Sequence, residues 1–497
     1  MAKNTVQKPH QNYLVWLVGG LLMLLLVLLS FAQPMDPDMG WHLRNGADIL
    51  SKGFPRGDLY SWTMAGYPWV PHEWATDVLM AWLYRLGGLW ALVIFFAGVI
   101  TTIFYLAAGV VKTSPLIRII VALAGFLVSW FVVGVRPQMF TLLGLVGVLY
   151  LLFTWRRQPV SKLIYWLPLI FAAWANLHGG FSAGFLIIGI FWAGEVLRHI
   201  LRGKKPTRLS VELLNWRQLW QLAGVAIVSV VATLFNPNGW RVYLELWQTF
   251  TDKDVLANIS EWLPLSLTNV GSYNVVLVVI LLLGLLWANH WKFDLTKLVL
   301  AITVFFISTT AWRHLPLFAI AAMPLLAEQL DGVLRHGMPK LLQTTVGVLG
   351  LVLVVGGVGA WQWARLSPVM FDPAVYGRSY GYPYDAVQYL KEHPGGERMY
   401  NEYNWGGYLV WQLPERQVFI DGRMAIWTTP TVKIFDEFKN ISNINDAETS
   451  LVTLAKWQVD TVFTGSGRPL NKYLNDSGGW EAVYSDALAV VWRKVSS

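Results

Sequence analysis

Two aspartates, an indole, an imidazole and a guanidinium fall within one short run, Asp36-Pro37-Asp38-Met39-Gly40-Trp41-His42-Leu43-Arg44. It follows directly on Tyr13–Ala32, an apolar block without a single charge. An ionisable group at a membrane boundary costs free energy unless it has a partner or a task. Carboxylates such as Asp36 and Asp38 can take the proton of an acceptor hydroxyl or amine. Arg44 can grip a phosphate with its planar fork. The structural alternatives are an N-cap role for Asp38, at a helix beginning near Trp41, and a turn role for Asp36, since Asp-Pro is a turn signal.

Further along the same loop, Pro71-His72-Glu73-Trp74 supplies oxygen and imidazole donors. His72 and Glu73 could ligate a divalent ion or bind sugar hydroxyls, or could be a polar pair in an aromatic belt with Trp69 and Trp74. Displacing a phosphate leaving group needs fixed positive charge. Arg136, Arg313 and His314 stand at the outer ends of apolar spans and suit that role, although the arginines could equally snorkel to headgroups. His178, in the tight turn Asn176-Leu177-His178-Gly179-Gly180, is a further substrate-binding candidate or a residue that satisfies its own turn.

These residues are set in a membrane protein. Of 497 residues 55% are hydrophobic and only 14% charged, against about a quarter charged in soluble chains. After Tyr13–Ala32, spans are expected near Gly88–Val111, Ile117–Val135, Met139–Trp155, Leu163–Ala175, Gly180–Leu197, Trp220–Phe235, Tyr273–Ala288, Leu295–Ala311, Leu315–Leu330 and Leu342–Trp361, about eleven in all. The first block is longer than the apolar core of a signal peptide. Lys3, Lys8, Lys112, Arg156, Arg157, Lys162, Arg198, Arg202, Lys204, Lys205, Arg208, Lys292, Arg335 and Lys340 fall in alternate connections. The intervening ones carry Asp36, Asp38, Asp48, Asp58, Glu73 and Asp77, and later Glu245, Asp252, Asp254 and Glu261. By the positive-inside rule the N-terminus is cytoplasmic and the acidic loops are outside. The net charge of +8 is thus topological, and no nucleic acid is implied. With no cysteine, disulfides and thiolate metal sites are excluded.

The expected domains are a membrane part, 1–361, with long outer loops at 33–77 and 236–272, and a soluble α/β part, 362–497, on the same outer side. In the latter, helices are expected at Tyr384–Glu392 and Ala447–Lys456, and strands at Arg398–Tyr403, Gln417–Asp421, Asp460–Thr464 and Ala487–Trp492.

The pattern Asp38-x-x-Trp41-His42-Leu43-Arg44, followed by Gly53-Phe54-Pro55 and Asp58, resembles the segment after the first span in oligosaccharyltransferase catalytic subunits, members of the GT-C class of membrane glycosyltransferases. The resemblance implies a GT-C-like fold, a polyprenyl-phosphate-linked sugar donor and Asp38 as the central catalytic residue. It also implies a divalent metal, Mg or Mn, as the one cofactor, with Asp38 among its ligands. Asn404-Trp405-Gly406-Gly407-Tyr408, with Asp421-Gly422-Arg423 beyond it, is similar to the WWDYG region of that family, which implies acceptor-side roles for Trp405, Tyr408, Asp421 and Arg423. The chain departs from the family where Tyr403-Asn404-Trp405-Gly406 stands for Trp-Trp-Asp-Tyr, and where Arg136-Pro137-Gln138 replaces an acidic pair. The sequon-binding pocket is therefore not reproduced.

The expectation is a multi-pass glycosyltransferase of the plasma or inner membrane. It would transfer a sugar or oligosaccharide from a polyprenyl-phosphate carrier, amid membrane lipids, to a glycan, lipid or protein acceptor on the extracytoplasmic face. The alternatives are a non-catalytic scaffold, which leaves the acidic loop unexplained, and a lipid or solute transporter. A transporter would need charged, broken spans at mid-depth, whereas Glu195 and Glu328 lie near span ends.

Overall fold

The computed structural model describes residues 9–32, 35–201, 213–268, 270–334, 344–443 and 445–495. The expected cytoplasmic charges Lys3, Lys8, Arg202, Lys204, Lys205, Arg208, Arg335 and Lys340, and the start of the span at Leu342, lie outside them. Among the described residues six helices are long and apolar enough to cross a membrane: Tyr13–Ser30, Trp74–Ala108, Gln138–Arg157, Gly179–Leu201, Trp312–Leu334 and Thr345–Phe371. Shorter apolar helices occupy Pro115–Ser129, Lys162–Leu177, Ser272–Ala288 and Leu295–Thr310, and Trp216–Ala232 is also helical. Every expected span thus falls on a helix.

Two compact units divide the chain, one of Met1–Gln33, Val93–Gly239 and Ala257–Ala364, the other of Pro34–Leu92, Trp240–Leu256 and Arg365–Ser497. The change of composition near Arg365 coincides with a unit boundary. The expected span starting at Gly88 is explained by a break: Trp74–Ala108 is interrupted at Gly87 and Gly88, where Gly88 takes φ 59°, a conformation open to glycine at little cost.

The first unit is a helical bundle. Leu295–Thr310 packs on Leu315–Leu334 and Ser182–Leu201, and Leu315–Leu334 packs on Pro115–Ser129. Its charges are paired. Arg156 lies 3.0 Å from Glu195 and 2.8 Å from Asp294, and Arg198 lies 2.9 Å from Glu195, with all four side chains at most 4% exposed. Thr296 donates to Glu195 at 2.6 Å. Buried charge is tolerated here because each ion has an opposite charge within 3.0 Å. Arg156 and Arg198, read from sequence as loop charges, are instead buried.

The second unit holds the long first loop and a small sheet. Its strands are β1 (Met399–Asn401), β2 (Thr461–Gly465), β3 (Trp480–Ser485) and β4 (Ala489–Lys494), in the order β1-β2-β4-β3. β1 and β2 are parallel, with Tyr400 opposite Val462. β4 is antiparallel to both β2 and β3, with Phe463 opposite Val491. The helices Tyr384–Glu392 and Ala447–Lys456 have their expected bounds, the latter capped by Asp446 accepting from the Thr449 amide. Two strand expectations change. Gln417–Asp421 forms no strand, because Val418 pairs only locally with Ser61. β3 had no alternating pattern to announce it, being an edge strand largely open to solvent. Trp240–Leu256 is tied to this unit by Lys433, which bonds Asp252 at 2.7 Å and Asp254 at 2.6 Å.

Candidate active site

Asp36 and Asp38 take different parts. Asp36 accepts the Asp38 amide on Oδ1 at 2.9 Å, and the Met39 amide on its carbonyl at 3.0 Å, which builds the turn. Helix Met39–Lys52 starts there with Asp38 at its N-cap position, yet the Asp38 side chain makes no capping hydrogen bond. The capping alternative is not realised. The carboxyl instead lies against Gly422, where an added Cβ would sit 1.8 Å from Asp38 Oδ1. A second backbone contact fixes this corner: a Cβ on Gly40 would meet the Gly407 carbonyl oxygen at 2.1 Å, and one on Gly407 the Pro37 carbonyl oxygen at 2.3 Å. Burial first, and the Asp36 carboxylate second, push the Asp38 carboxyl up to about 7, against the pull of His42 and Trp41.

His42, one turn on, stands at the centre of a buried acidic group that the sequence did not single out. Its Nδ1 lies 2.6 Å from Asp77 Oδ1, and Asn45 donates to Asp77 Oδ2 at 2.6 Å. Its Nε2 lies 3.6 Å from Glu73 Oε2. Burial opposes its charge, but Asp77, then Glu73 and Asp38, overcome this and raise it to about 9. These carboxyl groups favour the charged form of His42, with Nδ1 placed to donate to Asp77. The only signal for Asn45 was its position one turn after Trp41, with His42 and Asn45 on one helical face.

His72 Nε2 lies 3.7 Å from Glu73 Oε1, and it helps hold down Glu245, whose carboxyl burial pushes up. Among the described residues no three His, Asp or Glu side chains are grouped to hold a metal ion. Asp38, His72 and Glu73 are thus not assembled as a ligand set, and the carboxylates of Glu73 and Asp77 face the His42 ring.

The expected acceptor-side residues prove to be core. Arg423 is 2% exposed; it bonds Asp421 at 2.9 and 2.6 Å and reaches Asp58 at 2.9 Å. The rings of Trp41, Tyr60, Trp69 and Trp427 surround its guanidinium at 4.6–5.9 Å. Trp405 is buried and donates to the Gly381 carbonyl at 3.0 Å. Tyr408 stacks on Tyr382 with centroids 4.6 Å apart. These four residues position the loop rather than offering a surface to an acceptor. Arg44 likewise pairs with Asp48 at 2.9 Å on its own helix.

In the other unit, Arg136 and Arg313 come together on Glu261, with N···O distances of 2.7 and 3.8 Å. The guanidinium of Arg313 lies 4.6 Å from the Trp262 ring, which also meets the His314 ring edge-on at 5.8 Å. His178 Nδ1 accepts the Gly180 amide at 2.9 Å and lies 2.6 Å from the Thr141 hydroxyl. It satisfies its own turn, so its Nδ1 is not available to a substrate.

No protein-family model matches the sequence, and no curated protein matches it. Solved structures do. The archaeal oligosaccharyltransferase AglB from Archaeoglobus fulgidus, in complex with an inhibitory peptide and a dolichol-phosphate, superposes with a TM-score of 0.52 at 12% identity, over 92% of this chain and 70% of that one. ArnT from Cupriavidus metallidurans bound to undecaprenyl phosphate gives 0.53 at 14%, over 98% and 99%. The arabinofuranosyltransferase AftD from Mycobacteria gives 0.53 at 16%, over 97% and 40%. All three are GT-C glycosyltransferases. By this likeness the chain has the GT-C fold of these three structures.

Proposed function

We propose that the protein transfers a sugar from a polyprenyl-phosphate carrier to an acceptor on the extracytoplasmic face of the plasma or inner membrane. Asp38 carries this reading. Its carboxyl is released from capping and held beside a fixed imidazolium, and it titrates near neutrality, where a general base works best. In this reading Asp38 orients the acceptor hydroxyl or amine and takes its proton as the acceptor oxygen or nitrogen bonds to the anomeric carbon. The bond from that carbon to the carrier phosphate breaks. His42, oriented by Asp77, keeps positive charge beside Asp38 so that the carboxylate form persists.

Within the helical unit, Arg136 and Arg313 are the phosphate-binding candidates, since their forks suit phosphate. The lipid form of that phosphate is supported by two fold neighbours, solved with dolichol-phosphate and undecaprenyl phosphate. The charge asymmetry of the loops supports a cytoplasmic N-terminus and an outer C-terminal part. No step is assigned to a metal, because the donor groups are not assembled for one.

Mass spectrometry of lipids co-purifying with the protein tests the donor class, with a polyprenyl phosphate or its glycosyl derivative as the expected finding. With that donor supplied, Asp38→Asn should keep the lipid and the fold while turnover falls by about 10²-fold or more. Normal turnover by the variant would sink the assignment.

A further inference from the structure

Glu261 occupies the place that the proposed function gives to a phosphate. It lies on the short turn Ser260–Trp262, and each of its carboxylate oxygens faces a different arginine: Oε1 is 2.7 Å from Arg136 Nη2, and Oε2 is 3.8 Å from Arg313 Nη1. The turn is stapled to the segment before Arg313. Trp312 donates from its indole to the Ser260 carbonyl at 2.5 Å and from its amide to the Leu263 carbonyl at 3.1 Å, and the Leu265 amide donates to the Thr309 carbonyl at 3.0 Å. Stacking on Trp262 restrains the Arg313 guanidinium from the other side. Two guanidinium groups are therefore held at one small anion.

Two features set this group apart from the buried pairs elsewhere. The side chains are 13%, 23% and 22% exposed for Arg136, Glu261 and Arg313, so water and a ligand can reach them. The contacts also differ in tightness: Arg313 stays 3.8 Å from Glu261, whereas the ion pairs of Arg156 and Arg198 close to 2.8–3.0 Å. An ionised carboxylate and a phosphate present the same kind of paired acceptor oxygens to an arginine fork, but a phosphate offers more oxygens and more charge.

We propose that Glu261 is a resident counter-ion: it keeps Arg136 and Arg313 gathered, and a phosphate-bearing ligand binds by displacing its carboxylate from them. The inference rests on the reading of the two arginines as a phosphate site and adds the exchange step. Glu261 is a positioning residue that competes with the ligand, and the ligand must bring at least the charge that Glu261 gives up. A lipid-borne phosphate and free inorganic phosphate share this chemistry.

Binding to the full chain in nanodiscs tests it, with undecaprenyl phosphate, undecaprenol and inorganic phosphate as separate probes. Glu261→Gln preserves size and removes the competing charge. It should bind undecaprenyl phosphate about tenfold more tightly than wild type, roughly the step that 1.4 kcal/mol represents. Glu261→Asp, which keeps the charge and shortens the reach, should fall between. Arg136→Gln and Arg313→Gln should each weaken binding, and undecaprenol should be indifferent to every variant. A gain for inorganic phosphate as large as that for the lipid would assign the exchange to the phosphate group alone. A gain confined to the lipid would assign it to a lipid-borne phosphate. If the arginine variants weaken binding while Glu261→Gln binds like wild type or worse, the exchange is overturned and the phosphate site stands. If undecaprenol binds as well as its phosphate, or the arginine variants bind normally, the phosphate reading falls and the exchange with it.

Discussion

Placing a methyl group at Gly422 should disable the protein without unfolding it. The ideal Cβ of Gly422→Ala would stand 1.8 Å from Asp38 Oδ1 and 2.8 Å from Cγ. Non-bonded carbon contacts settle near 3.5 Å, so the carboxyl must withdraw by about 1.5 Å. Gly422 cannot give way instead, because its neighbours Asp421 and Arg423 are locked together and to Asp58. Misplacing a reacting group by about 1 Å costs on the order of 10²-fold in rate. Turnover should therefore drop at least that far while the apparent KM for the lipid donor stays within about threefold, since the phosphate-binding candidates are Arg136 and Arg313. The assay is sugar transfer in proteoliposomes with the co-purified donor, alongside the melting temperature in detergent. Gly465→Ala is the control, because a Cβ there meets the flexible Arg468 side chain at 3.5 Å and the Leu488 carbonyl oxygen at 3.9 Å, both ordinary contacts. If Gly422→Ala turns over at more than about a third of the wild-type rate with an unchanged melting temperature, Asp38 does not act from the position described.

Further outcomes can be measured. Because Asp38 is pushed up to about 7 and His42 to about 9, turnover should rise with pH through about 7, as the base form appears, and fall through about 9, as the imidazolium discharges. His42→Gln should erase the alkaline limb. For stability the signs are opposite to those of ordinary surface groups: the raised Asp38 carboxyl costs stability as pH rises from its ordinary range through about 7. The raised His42 adds stability that is complete below 6.5 and is lost as pH passes about 9, which a melting series resolves. In the helical bundle, Arg156→Met leaves Glu195 without one of its cations and Asp294 without its guanidinium. It should cost about 3–5 kcal/mol of stability by denaturant titration, and a loss below about 1 kcal/mol would refute a shared ion network.

The candidate site was legible where its signal is local. Asp38 declares itself by its place after the first span and its spacing to His42 and Arg44, and the spans by unbroken apolar length. What the chain hides is tertiary. Asp77 lies 35 residues from His42 at the head of a helix that reads as membrane span, so nothing nearby announces that they bond. Asp421-Gly422-Arg423 has the composition of an exposed turn, and only the rings of Trp41, Tyr60, Trp69 and Trp427 turn it into core. Arg156 and Arg198 obey the positive-inside rule by number, while their role is to neutralise Glu195 and Asp294. Val418 has strand-like neighbours but lacks a partner strand long enough to extend its pairing with Ser61.

The bonds that fix the first loop also impose an order in time. Trp62 reaches the Met399 carbonyl and Thr63 the Phe419 carbonyl, across 337 and 356 residues of chain, and Arg423 closes on Asp58 in the same way. At about 5–20 residues per second, Asp38 leaves the ribosome roughly 20–80 s before its wall at Gly422 is made. The earliest loop to be synthesised is thus among the last to be set. A chain broken off before residue 420 would lack the wall that Gly422 gives Asp38 and would leave that carboxyl in no defined place.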